Sequence, residues 1–483
     1  MSTTLSPDTR TTPPQEESAA RPSWGTLLVL LSGVFVVTLD FFIVNVAIPA
    51  TQSDLRAGPS QIQFIIAGYG LALAAGLITA GRLGDLYGRR RLFALGMGLF
   101  TLASAACGAA PTAGFLVAGR VAQGAAAALL TPQVLAIINA VYTGEHRARA
   151  FNAYGLAIGF GGVFGQLIGG ALIKVDVAGL GWRSIFLINV PIGIAALTVV
   201  RRLVPEIRSA AGARLDVAGT ALVGLGLVAV VLPLVQGQQQ GWPEWTWLCL
   251  AGALPLLGAF VLHQRRLSAR GGAPLIEPSL FRDRAFSAGA VTNLVYFMTM
   301  ASFFLVLALY LQDGRGLSAL QSGLIFLPLG LGYFAASGLS GRVAARLGRQ
   351  VLTAGALTVA AGYALLAETA TAIGTHGAIG WIIPGLLVSG VGMGLFVPPM
   401  PPIAMGGVPA DHAAAASGIL ATSQQAGGAV GVALIGVVFY NALGDHPHTG
   451  SFPHAFGIAL GVLAALGVVV SGLVQLLPKP VRG

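Results

Sequence analysis

The chain has 483 residues, of which 55% are hydrophobic and only 9% are charged, with a formal net charge of +10. Soluble domains carry about 25% charged residues, so this composition excludes a soluble globular protein. A basic soluble chain would point to nucleic acid; here the arginines border apolar segments and mark one side of a membrane.

Residues 1–23 are polar and rich in Pro, Ser and Thr, a composition that predicts disorder. They do not read as a secretory signal, because the following apolar run is too long and lacks a small-residue cleavage site. Fourteen predicted spans follow, at residues 24–49, 63–81, 92–110, 115–141, 151–173, 184–200, 217–235, 247–263, 286–311, 321–341, 351–367, 378–400, 413–440 and 455–477. Each is long and apolar enough to cross a bilayer as a helix. With both termini inside, the inner segments hold 22 of the 27 Lys and Arg residues and the outer loops four: Arg56, Lys174, Arg183 and Arg315. That asymmetry favours an even number of spans, since one missed helix would scramble it downstream.

The first span contains LDFFIVNVAIP (39–49). Of 17 acidic residues, Asp40 alone falls in the middle of a span. An exposed Asp at the bilayer centre costs roughly 2.5–3.5 kcal/mol on insertion scales, so Asp40 is expected to face an internal cavity. Removal from water favours the protonated acid, and such a carboxyl can load a proton from one side and lose it to the other. The plainer alternative is a packing hydrogen bond with Thr38 or Asn45.

After the second span comes GRLGDLYGRRR (81–91). Arg89, Arg90 and Arg91 anchor the inner side whatever else the protein does. Asp85 is a carboxylate at that mouth, able to pair with them or to face a helix N-terminus, whose dipole favours an anion. In the fourth span Arg120 follows only Phe115 to Gly119. It either snorkels to the nearer surface or sits in an internal cavity, and charges within a membrane are functional candidates by default. Gly161, Gly165 and Gly169 of the fifth span form a small-residue stripe that lets helices approach closely.

On the ninth span, Asn293, Tyr296, Phe297, Met298, Met300, Phe303 and Phe304 give an aromatic and Met surface. Such surfaces suit adaptable apolar ligands, and equally fill helix packing. The loop GDHPHTGSFPH (444–454) holds His446, His448 and His454, a possible metal set that reads more simply as a solvated loop. Cys107 and Cys249 fall within spans, where cysteine behaves as a small apolar residue. No P-loop, HExxH or GxSxG stretch occurs, so nucleotide hydrolysis and hydrolase chemistry have no support.

The chain repeats weakly. GRLGDLYGRR (81–90) corresponds to GRVAARLGRQ (341–350), GAAAALLTP (124–132) to VGMGLFVPP (391–399), and GQLIGGA (165–171) to SQQAGGA (423–429). Three similar offsets in one order argue for two related halves, as in one large class of secondary transporter. Leu387 stands where Arg120 would repeat, and Ala345 where Asp85 would. The expected division is a tail at 1–23, a six-helix bundle at 24–203 and a linker at 204–284 carrying two extra helices (217–235 and 247–263). A second six-helix bundle at 285–477 and a tail at 478–483 complete it.

These motifs resemble those of the major facilitator superfamily, within it the fourteen-span drug:proton antiporters. GRLGDLYGRRR is similar to the family's loop signature through Gly81, Leu83, Asp85, Gly88, Arg89 and Arg90, with Leu86 off pattern. LDFFIVNVAIP resembles the first-helix signature through Asp40, Asn45, Ala47 and Pro49, with Phe42 in place of the usual Thr. GRVAQGAAAA (119–128) matches the fourth-helix motif through Arg120, Gln123 and Gly124. GGVFGQLIGG (161–170) resembles the antiporter motif of the fifth helix through Gly161, Gly165, Gly169 and Gly170, with Gln166 replacing its proline. WRSIFLINVPIG (182–193) looks like the segment entering the sixth helix.

The resemblance implies an all-α polytopic membrane protein of the major facilitator fold, with fourteen transmembrane helices and both termini cytoplasmic. It implies a proton-coupled exporter of amphipathic drugs or antibiotics in a bacterial plasma membrane, not an enzyme. The Arg-rich, Lys-poor composition agrees with a GC-rich bacterial genome. Asp40 and Arg120 would couple the proton, and Gly81, Asp85, Gly88, Arg89 and Arg90 would latch the two halves. Asn45, Gln123, Asn293, Tyr296, Phe297 and Met300 would face the substrate. The expected partners are a small organic substrate, the proton and the lipid bilayer, with no cofactor, metal or nucleic acid, and a monomer is expected. Export of a single endogenous metabolite is the alternative; proton-coupled uptake and intramembrane enzymology rank below both.

Overall fold

The computed structural model describes residues 23–207, 216–237, 240–272, 274–276, 278–406, 408, 413–444 and 449–477. Among the described residues the regular structure is entirely helical. The first five spans are α1 (Trp24–Leu55), α2 (Pro59–Tyr87), α3 (Arg89–Gly108), α4 (Ala113–Val141) and α5 (Gly144–Val175). The sixth enters through a short turn and α6 (Ser184–Leu187) before α7 (Asn189–Leu203), and α8 (Val217–Gln236) and α9 (Glu244–Ala269) follow. The ninth is α10 (Arg284–Leu309), closed by a π-helical turn at Tyr310–Gly314. α11 (Ala319–Ile325) with α12 (Leu327–Leu347), then α13 (Gln350–Ile373), then α14 (Ile383–Phe396) with α15 (Met400–Ala404) make the next three. α16 (Ala413–Leu443) and α17 (Ser451–Val474) are the last two.

Thirteen of these helical stretches are long and apolar enough to cross a membrane. The fourteenth is α5, whose parts Arg149–Gly162 and Phe164–Val175 meet at 42°. The helix therefore bends with no proline at Gln166. Helix starts follow the usual capping chemistry, in which a side-chain oxygen satisfies an orphan N–H. Ser23 accepts from the Thr26 N–H at 3.1 Å, Thr112 from Phe115 at 3.2 Å and Asp283 from Ala285 at 2.8 Å.

Helix pairing repeats along the chain. α1 packs on α5, α2 on α4, and α3 on both α4 and α7. In the later spans α10 packs on α16, α12 on α14, and α13 on both α14 and α17. Between the two sets, α5 meets α11, α2 meets α16 and α1 meets α10. α8 lies on α2 and α16, with α9 against it. The Thr79 and Thr220 hydroxyls share a hydrogen bond of 2.6 Å at the α2–α8 contact.

The inter-set contacts concentrate away from Gly88. A Cβ added to Gly170 would run into the Ala319 carbonyl and lie 2.7 Å from the Leu320 Cα, and one on Gly323 would lie 2.6 Å from the Gln166 carbonyl. Toward the other end of α5, α12 and α16, a Cβ added to Gly155, Gly338, Gly341 or Gly418 would meet nothing within 4 Å. The two sets are thus closed at the Gly170 end and parted at the Gly88 end.

Candidate functional site

Asp40 and Arg120 sit together inside the first set of helices, and neither side chain exposes any surface. α1 delivers Asp40, and α4 delivers Arg120 and, one turn later, Gln123. The close approach of α4 to α2 is possible only because residue 124 is glycine: a Cβ there would meet the backbone of Tyr69. That approach brings the Arg120 guanidinium over the Tyr69 ring, 4.3 Å from its centroid, an arrangement that favours a cation.

The Arg120 donors are distributed with care for charge. Nη1 donates to Oδ2 of Asp40 and, at 2.8 Å, to Oε1 of Gln123. Nε donates to the Ile65 carbonyl at 2.9 Å. The second carboxylate oxygen, Oδ1, accepts from Nε2 of Gln123 at 2.7 Å and from Nδ2 of Asn189 at 2.9 Å. Ser104 completes the network, 2.7 Å from Gln123 Nε2 and 3.4 Å from Asn189 Nδ2. A buried ion pair survives its desolvation cost only when further hydrogen bonds support both partners. Here the side chains of Gln123 and Asn189 and the Ile65 carbonyl supply them, while Nη2 of Arg120 is left without a partner among the described residues.

Two alternatives of the sequence reading are corrected by this geometry. Arg120 does not snorkel to a surface. Asp40 does not bond Thr38 or Asn45: Asn45 donates instead to the Phe42 carbonyl at 3.0 Å. Gln166 donates to that same carbonyl, also at 3.0 Å, from across the α1–α5 contact. The glycine stripe lies on this contact. A Cβ on Gly161 would sit 3.0 Å from the Leu39 nitrogen, one on Gly165 3.4 Å from the Leu39 carbonyl, and one on Gly169 2.6 Å from Ile43 Cγ1.

The loop residues are held within their own set of helices. Gly88 has φ of 101°, a left-handed value, and a Cβ there would lie 2.5 Å from Oε1 of Glu206. Glu206 accepts from the Arg90 N–H at 3.1 Å and lies 3.5 Å from the Arg90 and 3.7 Å from the Arg91 side chain. Arg89 donates its backbone N–H to the Ile207 carbonyl at 3.0 Å. A Cβ added to Gly81 would lie 4.0 Å from the Pro132 Cβ. The Asp85 side chain, like His446 and His448, lies outside what the structure describes.

The ninth-span candidates are not brought to Asp40. Asn293 is buried and donates to the Leu420 carbonyl at 2.9 Å and to Ser423 at 2.8 Å. Tyr296 stacks on Phe396, with centroids 3.7 Å apart, and Phe297 packs edge-on against Tyr296 at 5.7 Å. Met300 is half-buried on the same helix. Aromatic contacts between the two sets include one from the ninth span, where Phe304 meets Phe42 at 4.8 Å; Phe160 and Phe164 also meet Phe334, at 5.3 and 6.3 Å. Phe160 remains 47% exposed, an accessible ring beside the parted end.

Residues 30–432 match the sequence profile of the Major Facilitator Superfamily. The chain belongs to that superfamily. It is 40% identical over 449 residues to a probable actinorhodin transporter of Streptomyces coelicolor, a match covering 92% of this chain and 77% of that one. It is 35% identical to the puromycin resistance protein pur8 of Streptomyces alboniger, over 96% of this chain and 93% of the relative. A multidrug resistance protein, Stp, of Mycobacterium tuberculosis is 32% identical over 86% and 75% of the two chains. Among solved structures, a POT family transporter in complex with a thioalcohol-conjugated peptide superposes with a TM-score of 0.68 at 15% identity. That match covers 93% of this chain and 95% of that one. The protein is therefore a transporter rather than an enzyme, a multi-pass protein of a bacterial plasma membrane.

Proposed function

We propose that this superfamily member exports amphipathic drugs or antibiotics in exchange for protons. The single observation that carries the coupling is the fully buried Asp40–Arg120 pair, held by Gln123 and Asn189. Protonation of Asp40 removes its charge and frees Arg120 from the ion pair; loss of the proton re-forms it. A two-state contact of this kind can bias a two-state packing. Relatives named for actinorhodin, puromycin and multidrug resistance support the export reading.

Placing the arginine-rich end in the cytoplasm sets both termini there and opens the cleft inward, with the Gly170–Ala319 contact closing the outer side. Residues 24–203 and 285–477 are then the two bundles that rock about the site, and α8 with α9 the extra pair. Gly81, Asp85, Gly88, Arg89 and Arg90 form the inner latch, with Glu206 fixing its Arg90 arm. Phe160, Phe164 and Phe334, with Phe297 and Met300, line the substrate path. A dedicated exporter of one metabolite is the second reading, favoured by relatives named for single compounds, among them a cephamycin export protein.

Everted vesicles provide the test. Asp40→Asn keeps size and hydrogen bonding but cannot titrate, so gradient-driven export should fail at normal protein level, while Asp40→Glu retains part of it. Full export by the Asn variant would remove Asp40 from the coupling role. A resistance panel in a pump-deficient host separates the two substrate readings: broad resistance supports the first, resistance to one compound the second.

A further inference from the structure

At the closed end, away from Asp40, lies a cavity of about 630 Å³ that shares no residue with the Asp40 network. Gln52 of α1, Gln63 of α2, Asp313 of the π-helical turn and Phe439, Tyr440 and Phe452 of the α16–α17 region line it. We propose that this cavity is a second binding site, taking an amphipathic organic cation. This deepens the export reading, on which only the direction of traffic through the site rests.

Three observations point to a ligand. The Asp313 carboxyl has no hydrogen bond or ion pair to any described residue. The neighbouring cation, Arg315, is turned away and committed to the carbonyls of Gly374 and Gly377. Gln63 is 3% exposed, yet its Oε1 has no hydrogen-bond partner, and an orphaned buried acceptor is costly. Finally, the ninth span ends here in a π-helical turn, Tyr310–Gly314, a distortion frequently found at functional sites.

The lining decides the class of ligand. Phe439 lies 5.6 Å from Tyr440 and 6.3 Å from Phe452, centroid to centroid, and aromatic faces attract cations. One carboxylate among neutral amides and aromatic walls is far short of the six to eight oxygen ligands that calcium takes. A lone proton needs neither the volume nor the aromatic walls. An apolar cation with delocalised charge uses all three features: the carboxylate, the orphaned carbonyl and the rings.

The probe is tetraphenylphosphonium, with the whole protein in nanodiscs. Ser53 lines the same cavity and is exposed, so Ser53→Cys on a Cys249→Ser background reports occupancy through its rate of reaction with a maleimide. Cys107 is buried and stays silent. By mass action, the cation at about ten times its dissociation constant should slow labelling about tenfold. The protection should vanish in Asp313→Asn, persist in Asp40→Asn, and be absent with neutral triphenylphosphine oxide, a control that needs no variant. Equal protection by the neutral compound, undiminished protection in Asp313→Asn, or its loss in Asp40→Asn would overturn the assignment. Export in vesicles is read separately, so export without protection defeats this inference alone, and protection without export defeats the export reading alone.

Discussion

Asn189 donates a hydrogen bond of 2.9 Å to the Asp40 carboxylate from 149 positions further along the chain. It shares Oδ1 with Gln123, which leaves Oδ2 to Arg120. Asn189 sits at the very start of α7, so the hydrogen bond ties the sixth span to the ion pair. A hydrogen bond to a charged group contributes roughly 1.5–3 kcal/mol. If that support is used during coupling, Asn189→Ala should lower gradient-driven export by about ten- to a hundredfold, since about 1.4 kcal/mol is tenfold in rate. Membrane abundance should change little, because the substitution also removes the unpartnered Oδ1 of Asn189. Wild-type export rates in everted vesicles would reduce Asn189 to packing.

The ion pair itself predicts a non-additive result. Removing one partner of a buried pair leaves an uncompensated charge and costs about 3–5 kcal/mol. Arg120→Gln should therefore lower the yield and thermal stability of the purified protein markedly. Adding Asp40→Asn to it removes the stranded carboxylate and should recover most of that stability, while export stays absent. A double variant as unstable as Arg120→Gln alone would show that the loss comes from Arg120 packing against Tyr69 and not from charge.

Asp40, Arg120 and Gln123 are legible in the sequence because a charge inside an apolar run must be turned inward and paired. Their companions are not. Thr38 and Asn45 are the nearest polar neighbours in sequence, yet residues two and five positions away on a helix do not share a face with Asp40. Asn189, which bonds Asp40, and Ser104, which bonds Gln123 and Asn189, are neutral and lie in other spans, where polar residues of this kind are unremarkable; only the placement of Asn189 midway through WRSIFLINVPIG gave any signal. Span number and helical class follow from hydropathy alone. The bend in α5 does not, because its proline is missing and the Gln166 hydrogen bond to Phe42 lies between helices. Which ninth-span aromatics pack where was not legible either: Tyr296 stacks on Phe396 within one set of helices, whereas Phe304 meets Phe42, and Phe160 meets Phe334, across the two.

Outside the spans, Asp216 caps α8 and gathers three donors. Its Oδ1 accepts from the Gly219 N–H at 2.8 Å and faces His263 Nε2 at 2.8 Å, and its Oδ2 accepts from Gln264 at 2.6 Å. Burial pushes the carboxyl up, but the bonds from Gly219, His263 and Gln264 outweigh it and hold it below its ordinary value. A carboxylate depressed in the folded state stabilises above its unfolded pKa, about 3.9, and loses that contribution as pH falls through the folded value. The stability gap between wild type and Asp216→Asn should thus be constant near neutrality and close below about pH 4. Thermal unfolding across pH measures it; a gap that widens on acidification would contradict the cap. Because Gln264 also accepts from the Ile276 N–H at 3.1 Å and Arg82 donates to the Pro274 carbonyl at 3.2 Å, loss of the cap should also loosen the segment leading into α10.

The closing contact at Gly170 gives the most direct handle on the transport cycle. Its backbone lies so near Ala319 and Leu320 that even one added methyl group collides with backbone atoms, which cannot rotate away as a side-chain tip can. A Cβ on Gly169, its neighbour, would first meet Ile43 and Val46 of α1, within the same set of helices. Gly170→Leu should therefore leave the first bundle intact and destabilise only the closed end, moving the population toward states open there. Overpacking of this kind typically costs about 1–3 kcal/mol, enough to shift a two-state balance by about five- to a hundredfold. Ser322 is fully buried next to the Gly323–Gln166 contact, so Ser322→Cys on the Cys249→Ser background reports the opening. Its reaction with a membrane-impermeant maleimide should speed up by a comparable factor when Gly170→Leu is added, and proton-driven turnover should fall. Unchanged labelling with unchanged turnover would mean that the Gly170–Ala319 contact is passive, and the gate would then lie at the other crossing, where α2 meets α16.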